Sequence, residues 1–263
     1  MNSQHRALIT GASGGIGMAL ARIHAAQGGD LVLVARSEDK LNQLKAELTT
    51  QYAVDVVVIV ADLSQPGAAA AIYSQTQAAD LQIDILINNA GFGGHGYFHQ
   101  RDAATEMAMI QVNIASLTQL THCYLPDMVA RGQGRVLNVS SVASFFPGPL
   151  MAVYYATKAY VTSFSLALAE ELTGKGVTVT ALCPGPVDTG FIRTGQLENV
   201  AVFQQARSAE SVARTGYRAM IRGQLIAFDH IKYKCLVNWI APLLPRRLTL
   251  KLSRLVMARS KHQ

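Results

Sequence analysis

Cysteine is scarce in this chain of 263 residues: Cys123, Cys183 and Cys235 are the three present, widely spaced and odd in number. They form no CxxC pair and no Cys/His ligand spacing, so neither a disulfide framework nor a metal site is expected. The expectation is reduced, mostly buried thiols in a reducing, cytoplasmic compartment. The chain also has no uninterrupted apolar run of the 18 or more residues that a membrane span needs. Its opening residues, MNSQHRALITG, contain no apolar signal-peptide core. Charged residues make up only 15% against 50% apolar, which excludes a disordered, solvating chain and suits one large core. Acids are absent from one region altogether. Residues 1–229 carry 15 Lys/Arg against 17 Asp/Glu, whereas residues 230–263 carry eight Lys/Arg and no acid. The basic balance of +6 therefore belongs to the tail, and no reading motif for nucleic acid accompanies it.

What the chain does contain is an alternation. Apolar runs of strand length occur at 6–10, 31–35, 54–60, 83–87, 134–139 and 177–182, with a shorter one at 224–228. Between them lie helical patterns at 18–27, 38–52, 67–77, 103–128, 153–172 and 208–223. Unbroken apolar strands separated by amphipathic helices predict an open, doubly wound, Rossmann-like parallel α/β sheet with helices on both faces. No linker divides this body, so a single domain over 1–230 is expected, followed by a basic extension over 231–263.

The first strand runs into TGASGGIG, Thr10 to Gly17, and then into a helix. In that position Gly11 allows a tight turn, Gly15 a close approach to a pyrophosphate and Gly17 close helix–strand packing. The phosphates would lie at the positive end of the following helix. An NAD-preferring site carries an acid about 20 residues further on, at the end of the second strand. Here that place, 19 residues after Gly17, holds Arg36, whose planar fork suits a 2′-phosphate. NADP(H) is thus favoured over NAD(H).

A second cluster follows the fifth strand, in VSSVASFFPGPLMAVYYATKAY. Tyr154 and Lys158 are four residues apart in a helical pattern and so share a face. A nearby ammonium favours phenolate and would lower a tyrosine pKa from roughly 10, making a proton donor that works near neutral pH. Tyr155 has no lysine one turn on and reads as packing; Ser140 and Ser141 both precede the helix as candidate hydroxyls. His95 and His99 read as surface histidines.

Taken together, Thr10-Gly11-x-x-x-Gly15-x-Gly17, Asn88-Asn89-Ala90-Gly91, Asn113, Ser141, Tyr154-x-x-x-Lys158 and Pro184-Gly185 resemble the signatures of the short-chain dehydrogenase/reductase family, in that family's order over about residues 6–225. Finer details resemble a bacterial branch of carbonyl reductases and hydroxysteroid-dehydrogenase-like members. The resemblance implies Tyr154 as the acid/base, Lys158 as holder of the nicotinamide ribose, Ser141 as the group polarising a carbonyl and Asn113 as support for a proton-relay water. It implies cofactor contacts from Gly11, Ser13, Gly14, Gly15, Ile16 and Gly17, from Asp62 and Leu63 at the adenine, and from Asn89, Ala90 and Gly91. Tyr154 and Lys158 also face the cofactor, with Pro184, Gly185, Val187 and Thr189 near the nicotinamide. The implied reaction interconverts a carbonyl and a secondary alcohol, in a protein that is commonly a homodimer or homotetramer.

Apolar residues near that cluster, among them Phe92, Phe145, Phe146, Leu150 and Met151, with Phe191, Ile192, Leu197, Val200, Val202 and Phe203 beyond it, predict a hydrophobic carbonyl or alcohol substrate. Two other readings are a cofactor-binding regulatory or scaffold protein and an NAD-dependent alcohol dehydrogenase. In the extension, Leu248, Leu252, Leu255 and Val256 share one helical face while Arg247, Lys251 and Arg254 mark another. Such a helix suits packing on the body or capping a pocket, peripheral membrane contact, or an acidic protein or another subunit.

Overall fold

The computed structural model describes residues 5–204 and 206–258. The first unit alternates β1 (Ala7–Thr10), α1 (Gly15–Ala25), β2 (Leu31–Ala35), α2 (Glu38–Tyr52), β3 (Val56–Val60), α3 (Ala68–Ala78) and β4 (Ile85–Asn88). The second adds α4 (Ala103–Ile110), a π-helical segment (Gln111–Ser116), α5 (Leu117–Arg131), β5 (Gly134–Val139), α6 (Ala152–Glu171) and β6 (Val177–Cys183). A short pair, β7 (Val187–Asp188) and β8 (Arg207–Ser208), flanks α7 (Gly190–Thr194). Then come α8 (Ala209–Ile221), β9 (Ile226–Phe228), α9 (Ile231–Cys235) and α10 (Arg246–Met257).

Seven strands form one parallel sheet in the order β3-β2-β1-β4-β5-β6-β9. Strand side chains alternate between faces, and the two faces feed two cores. Ile9 and Leu33 join one core with Leu20, Leu41 and Tyr217. Leu8, Val32 and Val34 join the other with Ile72, Leu120 and Tyr124. Both faces being covered explains why the strands read as continuous apolar runs. Helix α2 shows the complementary pattern: Leu41, Leu44 and Leu48 are buried on one stripe and most other positions are polar. The chain folds as a single doubly wound domain.

Three expectations change in detail. The helix expected over 103–128 runs to Arg131 but is broken by the π-helical segment, which carries Asn113. Cys235 is exposed, Cys123 half-buried and Cys183 buried, so the thiols are not uniformly interior. His95 is buried rather than on the surface, and its Nε2 lies 2.8 Å from the carbonyl of Met257 at the end of α10. The extension thus folds back onto the body, although its last residues, 259–263, lie outside the described residues.

Candidate active site

The strand order reverses between β1 and β4, whose connections depart in opposite directions and open a crevice at the strands' carboxyl ends. Thr10 ties the two edges of that crevice, accepting at Oγ1 the N–H groups of Asn89 and Ala90, each at 3.0 Å. Asn89 then donates from Nδ2 to the carbonyls of Thr10 and Gly11, at 2.9 and 3.3 Å, and so braces the glycine turn from behind.

Helix α1 leaves that turn with no capping side chain and no acid in its first turn. Its leading N–H groups are therefore without side-chain partners, which is what an anion requires. Gly15 holds a positive φ of 53°, and a Cβ there would meet Thr189 Cγ2 at 2.9 Å. At Gly17 a Cβ would come within 2.4 Å of the Gly11 carbonyl oxygen, so only glycine lets the helix approach its own turn so closely.

A cavity of about 1040 Å³ runs from this turn across the crevice. It is at the upper end of the roughly 300–1,000 Å³ usual for a small-molecule site. Its walls include Gly11, Ser13, Gly14, Gly15, Ile16, Arg36, Asp62, Leu63, Asn89, Ala90 and Gly91, and further along Ser141, Tyr154, Lys158, Pro184, Gly185, Val187 and Thr189. A glycine cradle, an uncapped helix end and cations at the far end make a chemically suitable site for a phosphorylated dinucleotide.

Two expected residues lie behind the wall. Gly17 is buried and makes the close approach just described, so its part is packing. Asn113, 1% exposed, is fully engaged: Oδ1 accepts the Phe92 N–H at 3.1 Å, while Nδ2 donates to the Phe92 carbonyl and to Thr157 Oγ1, both at 3.0 Å. The π turn carrying it holds the loop after β4 against α6.

Tyr154 and Lys158 lie one turn apart on α6, both buried. Lys158 Nζ is 5.8 Å from the centroid of the Tyr154 ring and donates to the Val139 carbonyl at 2.8 Å. The expected lowering of the phenol by this lysine is not what the geometry gives. Burial pushes the Tyr154 pKa well above its usual value, opposed by a hydrogen bond with Ser141. Burial equally pulls Lys158 down, to about 8, with a small opposing contribution from Cys183. Desolvation wins because both groups sit in a wall of apolar side chains.

The two serines separate clearly. Ser140 Oγ donates to the Lys158 carbonyl at 3.0 Å and meets Thr162 Oγ1 at 2.7 Å, so it holds α6 against β5. Ser141 Oγ accepts from Ala143 N at 3.1 Å, donates weakly to the Pro184 carbonyl at 3.4 Å, and also shares a hydrogen bond with the Tyr154 phenol. Tyr155 reaches the cavity wall as well as packing on Gly148, and burial pushes it up to about 12.

At the opposite end, Asp62 accepts from the N–H and hydroxyl of Ser64, at 3.0 and 2.8 Å. Burial draws that carboxyl up, but the Ser64 hydrogen bonds and the Arg36 charge outweigh it and hold it below the usual range. Lys40 joins Arg36 on this wall and was missed in the sequence; a second cation in the first turn of the helix after Arg36 was the available signal.

The apolar wall is a subset of the one expected. Phe92, Phe146, Met151, Phe191, Val202 and Phe203 line the cavity. Phe145 instead packs on Phe228 with centroids 5.7 Å apart, and Leu197 and Val200 are buried in a satellite core beneath. Leu150 and Ile192 pack against that core too. The extension caps the cavity, as one reading of its sequence allowed: Tyr233, whose ring lies against Gly185, and Leu252, Val256 and Met257 of α10 join the wall.

The same arrangement recurs in known proteins. A family model described as short chain dehydrogenase matches residues 5–198. The chain is 39% identical over 190 residues to a very-long-chain 3-oxoacyl-CoA reductase of Anas platyrhynchos, a match covering 70% of this chain and 60% of that protein's length. To the protein of the same name in Macaca fascicularis it is 34% identical over 255 residues, covering 94% of this chain and 78% of the relative. Among solved structures, a short-chain dehydrogenase from Sphingobium yanoikuyae in complex with NADPH superposes with a TM-score of 0.82 at 33% identity, covering 88% and 90% of the two chains. A short chain dehydrogenase/reductase from Burkholderia phymatum in complex with NAD gives 0.80 at 25% identity, covering 89% and 91%. With a family model matched over residues 5–198 and a relative 34% identical across 94% of this chain, the protein belongs to the short chain dehydrogenase family, whose fold binds a nicotinamide cofactor.

Proposed function

We propose that the protein is an NADP(H)-dependent reductase of hydrophobic ketones, working between a carbonyl and a secondary alcohol. The observation that carries this reading is the buried Tyr154 phenol, hydrogen-bonded to Ser141, at the point where the glycine-lined arm of the cavity meets its apolar arm. A nicotinamide bound there supplies the hydride. Residues 1–230 would form the catalytic body and 231–263 an extension that completes the substrate arm.

The protein's own groups do the rest. With its pKa raised by burial, the phenol holds its proton at neutral pH and is a donor. Ser141 orients the carbonyl oxygen beside it and strengthens its hydrogen bond as charge develops there. Lys158, titrating near 8, is largely an ammonium at pH 7, close enough to favour the phenolate as the proton leaves. Asn113 is a positioning residue for the loop after β4. Arg36 and Lys40 would take a 2′-phosphate, which supports NADP(H), and the NADPH-bound neighbour agrees with that. The names of the two relatives make a long-chain 3-oxoacyl thioester the first ketone to test.

The decisive experiment assays long-chain 3-oxoacyl thioesters, steroid ketones and small sugars with NADPH and with NADH, for wild type and Tyr154→Phe. Apolar ketones are expected to be reduced with NADPH. Loss of the proton donor should lower kcat by about 10²–10⁴-fold with dinucleotide binding kept. Efficient turnover of hydrophilic sugars alone, or full activity in Tyr154→Phe, would overturn the reading. The NAD-bound neighbour favours a second cofactor assignment, which stronger NADH than NADPH binding would establish.

A further inference from the structure

Helix α10 carries apolar side chains on two faces, one toward the cavity and one toward solvent. Its small polar residues, Thr249 and Ser253, face the cavity with Leu252 and Val256, while Leu248, Leu250 and Leu255 are exposed and lie off the cavity wall. A helix settling on a protein surface ordinarily places its leucines inward. The segment before it repeats the anomaly: Trp239 is 74% exposed and Leu243 83%, with Ile240 also in solvent. These are large apolar side chains, concentrated in a stretch of fewer than 20 residues, and exposed among the described residues.

The charges in the same stretch are of one sign. Lys232, Lys234, Arg246, Arg247, Lys251 and Arg254 are all basic, and residues 230–263 contain no acid. On the helix, Arg247, Lys251 and Arg254 flank the leucine stripe at neighbouring angles. A tryptophan, a leucine stripe and flanking cations are the composition that settles at a lipid–water boundary. A merely acidic partner would meet the charge and leave the tryptophan and leucines uncovered, whereas an anionic lipid surface offers charged headgroups and an apolar layer together. We propose that the face formed by Trp239–Leu255 docks on an anionic lipid surface.

The placement of this face gives it a purpose. Leu252, Ser253 and Val256 also line the catalytic cavity, so the helix is at once the outer surface and part of the pocket wall. His95 pins its C-terminal end through the Met257 carbonyl, and Arg254 donates to the Tyr97 hydroxyl at 3.1 Å. Docking would therefore bring the apolar arm against the lipid and let a hydrophobic ketone pass from bilayer to Tyr154 without crossing water. This route, unlike the docking itself, rests on the hydrophobic-ketone reading.

The test is flotation of the full-length protein with vesicles of phosphatidylcholine alone and of phosphatidylcholine with phosphatidylglycerol, at low and high salt. Leu243 and Leu255 are outside the cavity wall, so the double variant Leu243→Glu/Leu255→Glu is compared with Leu225→Glu, an exposed leucine outside the extension. Wild type and Leu225→Glu are expected to float with the anionic vesicles and to be released by salt. The double variant should lose at least about tenfold in partitioning while reducing a water-soluble ketone as wild type does. Absence of flotation, or flotation unchanged by the double substitution, overturns the proposal. So does light scattering that shows the double variant dissociating a dimer while no chain floats, since the face then belongs to a second copy. Flotation requires no turnover; failure of the ketone reading shows in the substrate assay alone.

Discussion

Tyr154 and Lys158 are perturbed in opposite directions by one cause. A neutral phenol and a neutral amine are both favoured where charge is poorly solvated, so the tyrosine keeps its proton and the lysine tends to lose one. The lysine has a stability consequence with a definite sign. Its folded pKa of about 8 lies below the unfolded value of 10.5, so the folded state binds that proton more weakly. The penalty is complete below pH 8 and is relieved as pH rises toward 10.5. Lys158→Met is expected to be as stable as wild type or up to about 2 kcal/mol more stable at pH 7, part of the gain being offset by an unpaired Val139 carbonyl. Denaturant unfolding should show wild type gaining on the variant between pH 8 and 10.5. At the other end of the cavity, Arg36→Ala is expected to weaken NADPH binding by about 10–100-fold while changing NADH binding little, as read by titration calorimetry. Equal losses for both dinucleotides would remove the arginine from the 2′-phosphate.

Among the elements, the β1–α1 unit is the most tightly specified. The helix starts where it does because Gly17 lets it lie against Gly11 and Asn89. A methyl group at Gly17 would meet backbone, which cannot swing away. Gly17→Ala is expected to cost about 1–3 kcal/mol in urea unfolding and to weaken dinucleotide binding by distorting the anion-binding turn. The π segment at Gln111–Ser116 solves a different problem. It turns Asn113 toward Phe92 and Thr157, satisfying the loop backbone that follows β4, where an uninterrupted α-helix would rotate that amide elsewhere. Nothing in the residue spacing announces this extra residue per turn. Asn113 therefore stood out in the sequence, while the role its surroundings give it did not.

Over the whole molecule, cohesion is uneven. The inner strands β1, β2, β4, β5 and β6 are almost wholly buried, whereas the extension over residues 231–258 buries few side chains and exposes many apolar ones. In solution without lipid, backbone amides of α9 and α10 are expected to exchange with solvent far faster than those of β1, β2, β4 and β5, because local opening there exposes little new surface. Hydrogen exchange resolved by mass spectrometry checks this, and equal protection would show the extension to be part of the cooperative core. Among the described residues no helix is long and apolar enough to cross a membrane.

The strand–helix alternation, the glycine turn and the Tyr154–Lys158 spacing were legible in the chain because they are local. A doubly covered strand needs an unbroken apolar run, a tight approach needs glycine, and one helical turn fixes which side chains are neighbours. What the sequence by itself determined about this protein is its architecture and the set of groups brought to the crevice. Tertiary structure alone decided their states and partners: that burial raises the phenol, that Ser141 rather than Ser140 is its hydroxyl partner, that Lys40 joins Arg36, and that α10 closes one side of the cavity with Leu252 and Val256. Those outcomes depend on how much water and which neighbours surround each group, and chain spacing does not carry that information across elements that meet only in the folded state.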